Sequence, residues 1–190
     1  RQWLCAGMLV LVAMGAVGAE ANLVVAQVAP MSGPIGVEGS EYNSGIKLAL
    51  AALNAGGGVL GRKVLLQVED DEYSPDKTVA AIRRLARSDA LALLMPVGSP
   101  AMTKVLAERV LDEAGFPVIG VVPGAEPFRK PHNPLLFHIR AGDLDQYRKI
   151  VEHSLTVGMR RIAVVYVDIP FGKSGLAAVE GMLKERGLDP

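Results

Sequence analysis

Residues 91–107 read LALLMPVGSPAMTKVLA, and the fold class follows from how this stretch is divided. Leu91, Ala92, Leu93, Leu94 and Met95 form an unbroken apolar run, the pattern of a short strand covered on both faces. Beyond it Met102, Leu106, Val110 and Ala114 recur about one turn apart, which predicts a helix over residues 100–114 with one face in the core. Gly98-Ser99-Pro100 lies between the two. Ser99 suits an N-cap, because its hydroxyl can accept a bond from an orphan N–H of the first turn. Pro100 suits the first helical position, where its missing N–H costs nothing. A strand that turns through a cap into a helix points free N–H groups and a positive dipole end at the carboxyl edge of the sheet. In open α/β sheets that edge is where ligands bind. An ordinary capped βα turn has the same residues, so the stretch is open to both readings.

Outward from this unit the same alternation repeats. Residues 22–29 form an apolar strand ending in Pro30-Met31-Ser32-Gly33-Pro34, which cannot be helix. A helix is expected from about residue 39 or 44 to 54, with Ile46, Ala49, Leu50 and Leu53 inward, stopped by Gly56-Gly57-Gly58. Residues 62–69 are a second strand. Ser74 and Pro75 repeat the cap-then-proline start, and the helix after them turns Val79, Ile82 and Leu85 inward. Strands follow at 118–122 and 135–139. Asp143 caps a helix carrying Leu144, Tyr147, Val151 and Leu155. A strand at 161–167, a loop at 168–173 and a helix at 174–186 complete the chain. This is an α/β chain with a doubly wound parallel sheet and right-handed crossovers.

Composition narrows the function. The 190 residues carry 20 Lys plus Arg and 20 Asp plus Glu, so net charge is zero. There is no basic field for nucleic acid, and the few aromatic residues are too scattered to stack bases. Residues 1–21 stand apart. Arg1 is followed by an uncharged apolar run at 9–17, and Val17-Gly18-Ala19 or Ala19-Glu20-Ala21 offers small residues to a signal peptidase. The run is too short to span a bilayer comfortably, so a cleaved secretory signal is expected. Cys5, the single cysteine, lies inside it, so the mature chain could form no disulfide.

The catalytic and metal motifs weaken on inspection. Gly56–Lys63, GGGVLGRK, has the glycine spacing of a phosphate loop, but Arg62 interrupts it, no Ser or Thr follows Lys63, and it joins a helix to a strand. A left-handed helix stop and a tight turn account for it. Glu69-Asp70-Asp71-Glu72 offers one arm of a cation site without EF-hand spacing, and reads as a solvated strand end. His132, His138 and His153 lack ligand spacing. No G-x-S-x-G elbow and no G-x-G-x-x-G fingerprint is present. No cofactor and no metal is expected.

Taken in order, Pro30-Met31-Ser32-Gly33-Pro34, Leu53-Asn54-Ala55-Gly56-Gly57 with Leu60-Gly61-Arg62-Lys63, Glu69-Asp70-Asp71 with Ser74-Pro75, and Asp168-Ile169-Pro170-Phe171-Gly172 resemble the amino-terminal half of a type I periplasmic binding protein. The likeness is to the leucine/isoleucine/valine-binding group of ABC-transporter receptors. It implies two α/β lobes joined by a hinge, with ligand between them: a first lobe at residues 22–140 and, at 141–190, a second lobe only begun. By position, Val97, Gly98, Ser99 and Ala101 would meet a ligand carboxylate. Pro123 and Gly124 fall where the family places a threonine-bearing segment, and Pro123 has neither hydroxyl nor N–H to offer. Glu38 falls where branched-chain receptors carry a tyrosine, and Phe171 matches an aromatic that closes over the ligand. The resemblance implies a non-enzymatic periplasmic receptor that hands an amino acid or related carboxylate or amide to a membrane permease and its ATPase. A ligand sensor for a signalling partner and an α/β-hydrolase-like enzyme using Ser99 are the alternatives. A histidine and a carboxylate within reach of Ser99 would mark the enzyme.

Overall fold

Five parallel strands in the order β2-β1-β3-β4-β5 organise the chain in a computed structural model that describes residues 21–168 and 170–188. The expected signal segment, with Cys5, lies outside the described residues. The elements are β1 (Leu23–Ala29), α1 (Gly36–Ala55), β2 (Val64–Asp70), α2 (Pro75–Leu85), β3 (Ala90–Leu94), α3 (Ser99–Ala107), α4 (Val110–Ala114), β4 (Val118–Ile119), β5 (Leu136–Phe137), α5 (Asp143–Thr156) and α6 (Pro170–Lys184). A 3₁₀ turn, Glu126–Phe128, lies between β4 and β5.

β1 is an inner strand, flanked by β2 and β3, and its alternation sets the two layers. Ala26 and Val28 face a core shared with Val79, Ile82 and Leu85 of α2, Met102 and Val105 of α3, and Val110 and Leu111 of α4. Each such side chain, fully buried, contributes about 1.5–3 kcal/mol of transfer free energy. Gln27 points the other way and accepts a hydrogen bond from Asn43 Nδ2 of α1 at 2.8 Å. With α1 on one face and α2 to α4 on the other, the sheet is doubly wound as expected.

Several expected boundaries shift. α1 starts at Gly36, earlier than its apolar stripe implies, because it lies against the β1 exit rather than on a side-chain layer. A Cβ at Gly39 would fall 1.8 Å from the Pro30 carbonyl oxygen. Its buried residues are Gly36, Gly39, Asn43 and Ile46, while Ala49 and Leu53 are exposed. The expected helix at 100–114 is two helices, because Arg109 takes a left-handed conformation (φ 54°) and Arg109 Nε pairs with Asp112 at 2.7 Å. Strand 118–122 ends at Ile119, where Gly120 turns with φ 75°. Strand 135–139 shortens to Leu136–Phe137. Leu91 is 53% exposed beside a register irregularity between β1 and β3, so that strand is not covered along its whole length. α6 starts at Pro170 rather than 174.

Residues 161–167 form no strand. They keep the period-2 pattern, with Ile162 and Val164 half-buried against α5 and α6 and Val165 99% exposed. A strand needs a hydrogen-bonded neighbour, and none is present among the described residues. The glycine-rich stretch is the turn anticipated: Gly58 N–H donates to the Leu53 carbonyl, and Val59 and Arg62 bond across the turn.

Candidate functional site

The sheet order places β2 and β3 on opposite sides of β1, so the chain's direction of winding reverses between β1 and β3. A crevice opens at such a point, outside the carboxyl ends of the strands. Four exits meet there: the segments after β1, β2, β3 and β4.

The β2 exit is held by carboxylates. Asp70 accepts from Met31 N–H at 2.9 Å, Ser32 Oγ at 2.7 Å and Glu72 N–H at 2.9 Å. Burial pushes its pKa up, but these bonds outweigh that and hold it below the ordinary 3.8. Asp71 is fully buried and accepts from Thr78 Oγ1 at 2.7 Å and Tyr73 N–H at 3.0 Å. Burial raises its pKa above 3.8. The acidic run is therefore not a solvated strand end: two of its carboxylates pin the loops after β1 and β2. Between them the backbone takes two consecutive left-handed residues, Glu72 (φ 51°) and Tyr73 (φ 62°).

The β3 exit departs from expectation at one residue. The N-cap of α3 is Gly98 (φ 106°, ψ 113°), and Ser99 is already helical, with no side-chain capping bond. Gly98 can take this backbone and Ser99 cannot do so cheaply, so the cap moves back by one. Met102 N–H is spent on the Gly98 carbonyl at 3.1 Å, and Pro100 has no N–H. Ser99 and Ala101 are left as donors of the first turn without a partner among the described residues. Val97 and Ala101 are buried, 3% and 2% exposed as whole residues, so neither presents a side chain to the cleft. At α2 the same motif behaves as expected: Ser74 Oγ accepts from Lys77 N–H, at a long 3.5 Å.

Ser99 opens onto a cleft of about 620 Å³. The cleft is bounded by Pro75 and Asp76 at the start of α2, Pro127 and Phe128, and Phe171 with Ser174 on α6. Ser99 and Phe171, distant in sequence, thus share one cavity, and Phe171 is 43% exposed in it. Lys104 also lines it, with its ammonium held by Asp76 and Glu108, and Asp76 leads in raising its pKa.

Pro123 and Gly124 are buried, and Gly124 packs against a charged pair. A Cβ on Gly124 would lie 2.1 Å from Asp143 Oδ1 and 2.2 Å from Arg140 Nη1. Arg140 donates to the Val122 carbonyl at 3.0 Å and to Asp143 at 2.8 Å, and Asp143 N–H donates to the Gly124 carbonyl at 2.9 Å. Gly124 therefore seats the Arg140–Asp143 pair instead of facing the cleft. Asp143 is in turn the first helical residue of α5, whose N-cap is Gly142. Glu38 is exposed in the first turn of α1. Burial, then the charges of Glu38 and Asp71, raise the Tyr73 phenol.

Tyr73 is the residue that sequence reasoning passed over. Its ring lies so close to Gly98 that a Cβ there would meet Cε2 at 2.9 Å. Its sequence signal was weak, a single aromatic after an acidic run. His138 is half-buried, with Nε2 3.0 Å from the Phe128 carbonyl, and His132 and His153 are exposed. Among the described residues no histidine or carboxylate hydrogen-bonds Ser99 Oγ, and no group of three His, Cys, Asp or Glu is placed to hold a metal.

A family model described as periplasmic binding protein matches residues 23–189. A Leu/Ile/Val-binding protein homolog from Brucella suis is 30% identical over 184 residues, covering 92% of this chain and 46% of the relative. The crystal structure of an extracellular ligand-binding receptor from Verminephrobacter eiseniae aligns with TM-score 0.81 at 38% identity, over 86% of this chain and 46% of that one. A substrate-binding periplasmic protein from Ralstonia solanacearum aligns with TM-score 0.81 at 34% identity, over 88% and 47%. The chain spans about half the length of the curated relatives it matches.

Proposed function

Because the chain belongs to the periplasmic binding protein family, we propose that it is the amino-terminal part of a two-lobed receptor that captures a small carboxylate or related amide for transport. In this reading residues 1–21 export the protein to the periplasm and are removed. Residues 22–140 are the first lobe, and the second begins at 141. The ligand carboxylate meets the start of α3, through Ser99 Oγ and the N–H groups of Ser99 and Ala101. Phe171 closes from the other side, and Glu38 and the Gly98 backbone border the site. Pro123 and Gly124 shape it from behind through the Arg140–Asp143 pair. The loaded receptor delivers its solute to a membrane permease driven by an ATPase. Binding without chemistry is the role, and the closing of two lobes traps the solute.

One observation carries this reading: the Ser99 N–H at the start of α3, without a partner among the described residues, lies beside a cleft that Phe171 shares. Among the described residues no histidine or carboxylate is bonded to Ser99, so the hydrolase-like alternative has no observation behind it here. The test is a thermal-shift and small-angle scattering screen of the intact receptor against small carboxylates, L-leucine and benzoate included. A ligand at a hundred times its Kd should add about 2.7 kcal/mol of stability and reduce the radius of gyration. A panel that moves neither quantity contradicts the proposal.

A further inference from the structure

α1 differs from α2 in what it turns to solvent. On α2 the outward Lys77, Arg83 and Arg84 are each held by a carboxylate of the same chain. α1 buries Gly36, Gly39, Asn43 and Ile46, and its opposite face is largely apolar as well. Val37 and Leu48 are 78% and 74% exposed there. They belong to a seam, Val37, Glu41, Ser44, Leu48, Ala51 and Ala55, whose members follow at alternating steps of four and three and are all exposed. That is the spacing with which one helix meets another. A helix apolar on both faces calls for cover on both.

The seam carries both a hole and a knob. Val37, Ser40, Glu41 and Ser44, with Met31 and Gly36, line a recess of about 470 Å³. Residues spaced as these four are, across two turns of one face, frame the hole that receives a side chain when helices interlock. Leu48 is the next seam position and fills no hole of its own chain. A two-fold axis at Ser44 and Gly45 satisfies both. α1 of a second copy, running antiparallel, brings its Leu48 opposite Ser40 and Glu41 and receives the first copy's Leu48 in return. The same register sets Val37 opposite Ala51 and Glu41 opposite Lys47. Neither Glu41 nor Lys47 has an ion-pair partner among the described residues. Ser40, Ser44 and Gly45 are small, so the axes can approach to about 8 Å. A contact in which one residue meets another and is met by it in return is what two copies of one surface make. The knob, the hole and both charges are already on α1.

We propose that α1 is a self-association surface, on which two copies of this chain pair antiparallel about a two-fold axis at Ser44 and Gly45. The seam runs roughly 27 Å at the rise of an α-helix. One helix pair of that length lies at or below the low end of specific interfaces, about 1,200 Å², so the dimer should dissociate in the micromolar range.

The experiment is sedimentation velocity of the intact receptor across the micromolar range, which should show a monomer–dimer equilibrium. Leu48→Glu should weaken the dimer about tenfold or more. It should leave the melt of the dilute protein in place, because Leu48 is exposed in the single chain. Glu41→Lys alone should weaken the dimer, and Glu41→Lys combined with Lys47→Glu should restore it, a rescue that misfolding does not give. Ser44→Cys should cross-link to its own copy on mild oxidation above the wild-type background, whereas Ala49→Cys, exposed on α1 but off the seam, should not. A receptor that stays monomeric throughout overturns the proposal. So does a dimer that is indifferent to Leu48→Glu and cross-links equally in the two cysteine variants. A monomer whose Ser44→Cys thiol resists alkylation overturns it as well, since the rest of the receptor is then what covers the seam.

Discussion

Single residues carry most of the geometry at the carboxyl edge, and their backbone states can be tested. Gly98 stands at φ 106° with the Tyr73 ring against it. Gly98→Ala should cost about 1–3 kcal/mol, read as a lower urea midpoint with unchanged slope; a neutral change contradicts the close approach. Asp71 makes a pH prediction. Burial raises its native pKa, so the stability it contributes is fully present below its unfolded pKa of 3.8 and is lost as the pH rises through the native value. Asp71→Asn keeps an acceptor for Thr78 and removes the titration. From about pH 4 upward the wild-type urea midpoint should therefore fall relative to the variant's. A difference that does not change with pH would contradict the burial account.

At the scale of elements, the two serine-proline starts separate. Ser74 caps α2, so Ser74→Ala should destabilise by about 0.5–1 kcal/mol, the low end of the range because its bond is long. Ser99 caps nothing, so Ser99→Ala should leave stability within about 0.5 kcal/mol of wild type. Apart from the strand expected at 161–167 and the break within 100–114, the order of strands and helices was readable in the chain because apolar period and Gly/Pro punctuation are local. The α3 cap was not, since both Gly98 and Ser99 are acceptable cap residues and the choice depends on which one takes the non-helical backbone. The break at Arg109 carried no residue-type signal either. Gly124 looked like a ligand position, and only the approach of Arg140 and Asp143 from a later element shows what its missing side chain makes room for. Tyr73 was hidden for the same reason: its neighbour, Gly98, lies in the turn after β3, a strand that does not pair with β2.

For the molecule as a whole, burial is uneven. The main core lies between the sheet and α2 to α4, whereas α5 and α6 share a small cluster of Val151, Val179, Met182 and Leu183. Beside them, residues 161–167 have no hydrogen-bonded strand neighbour among the described residues and leave Val165 bare. In a polypeptide of residues 20–190, hydrogen exchange should find slow amides in β1 and β3 and fast ones throughout 161–167, since unpaired backbone has no protection. Uniform protection in a monomer would contradict this. The central claim is that the start of α3 binds a carboxylate, and the most direct measurement is calorimetric titration of the intact receptor and Ser99→Ala with whichever of L-leucine and benzoate binds tighter. Losing one hydrogen bond to a charged group costs about 1.5–3 kcal/mol, so affinity should fall roughly ten- to hundredfold while the ligand-free melt stays in place. Equal affinity in the two proteins would contradict the claim.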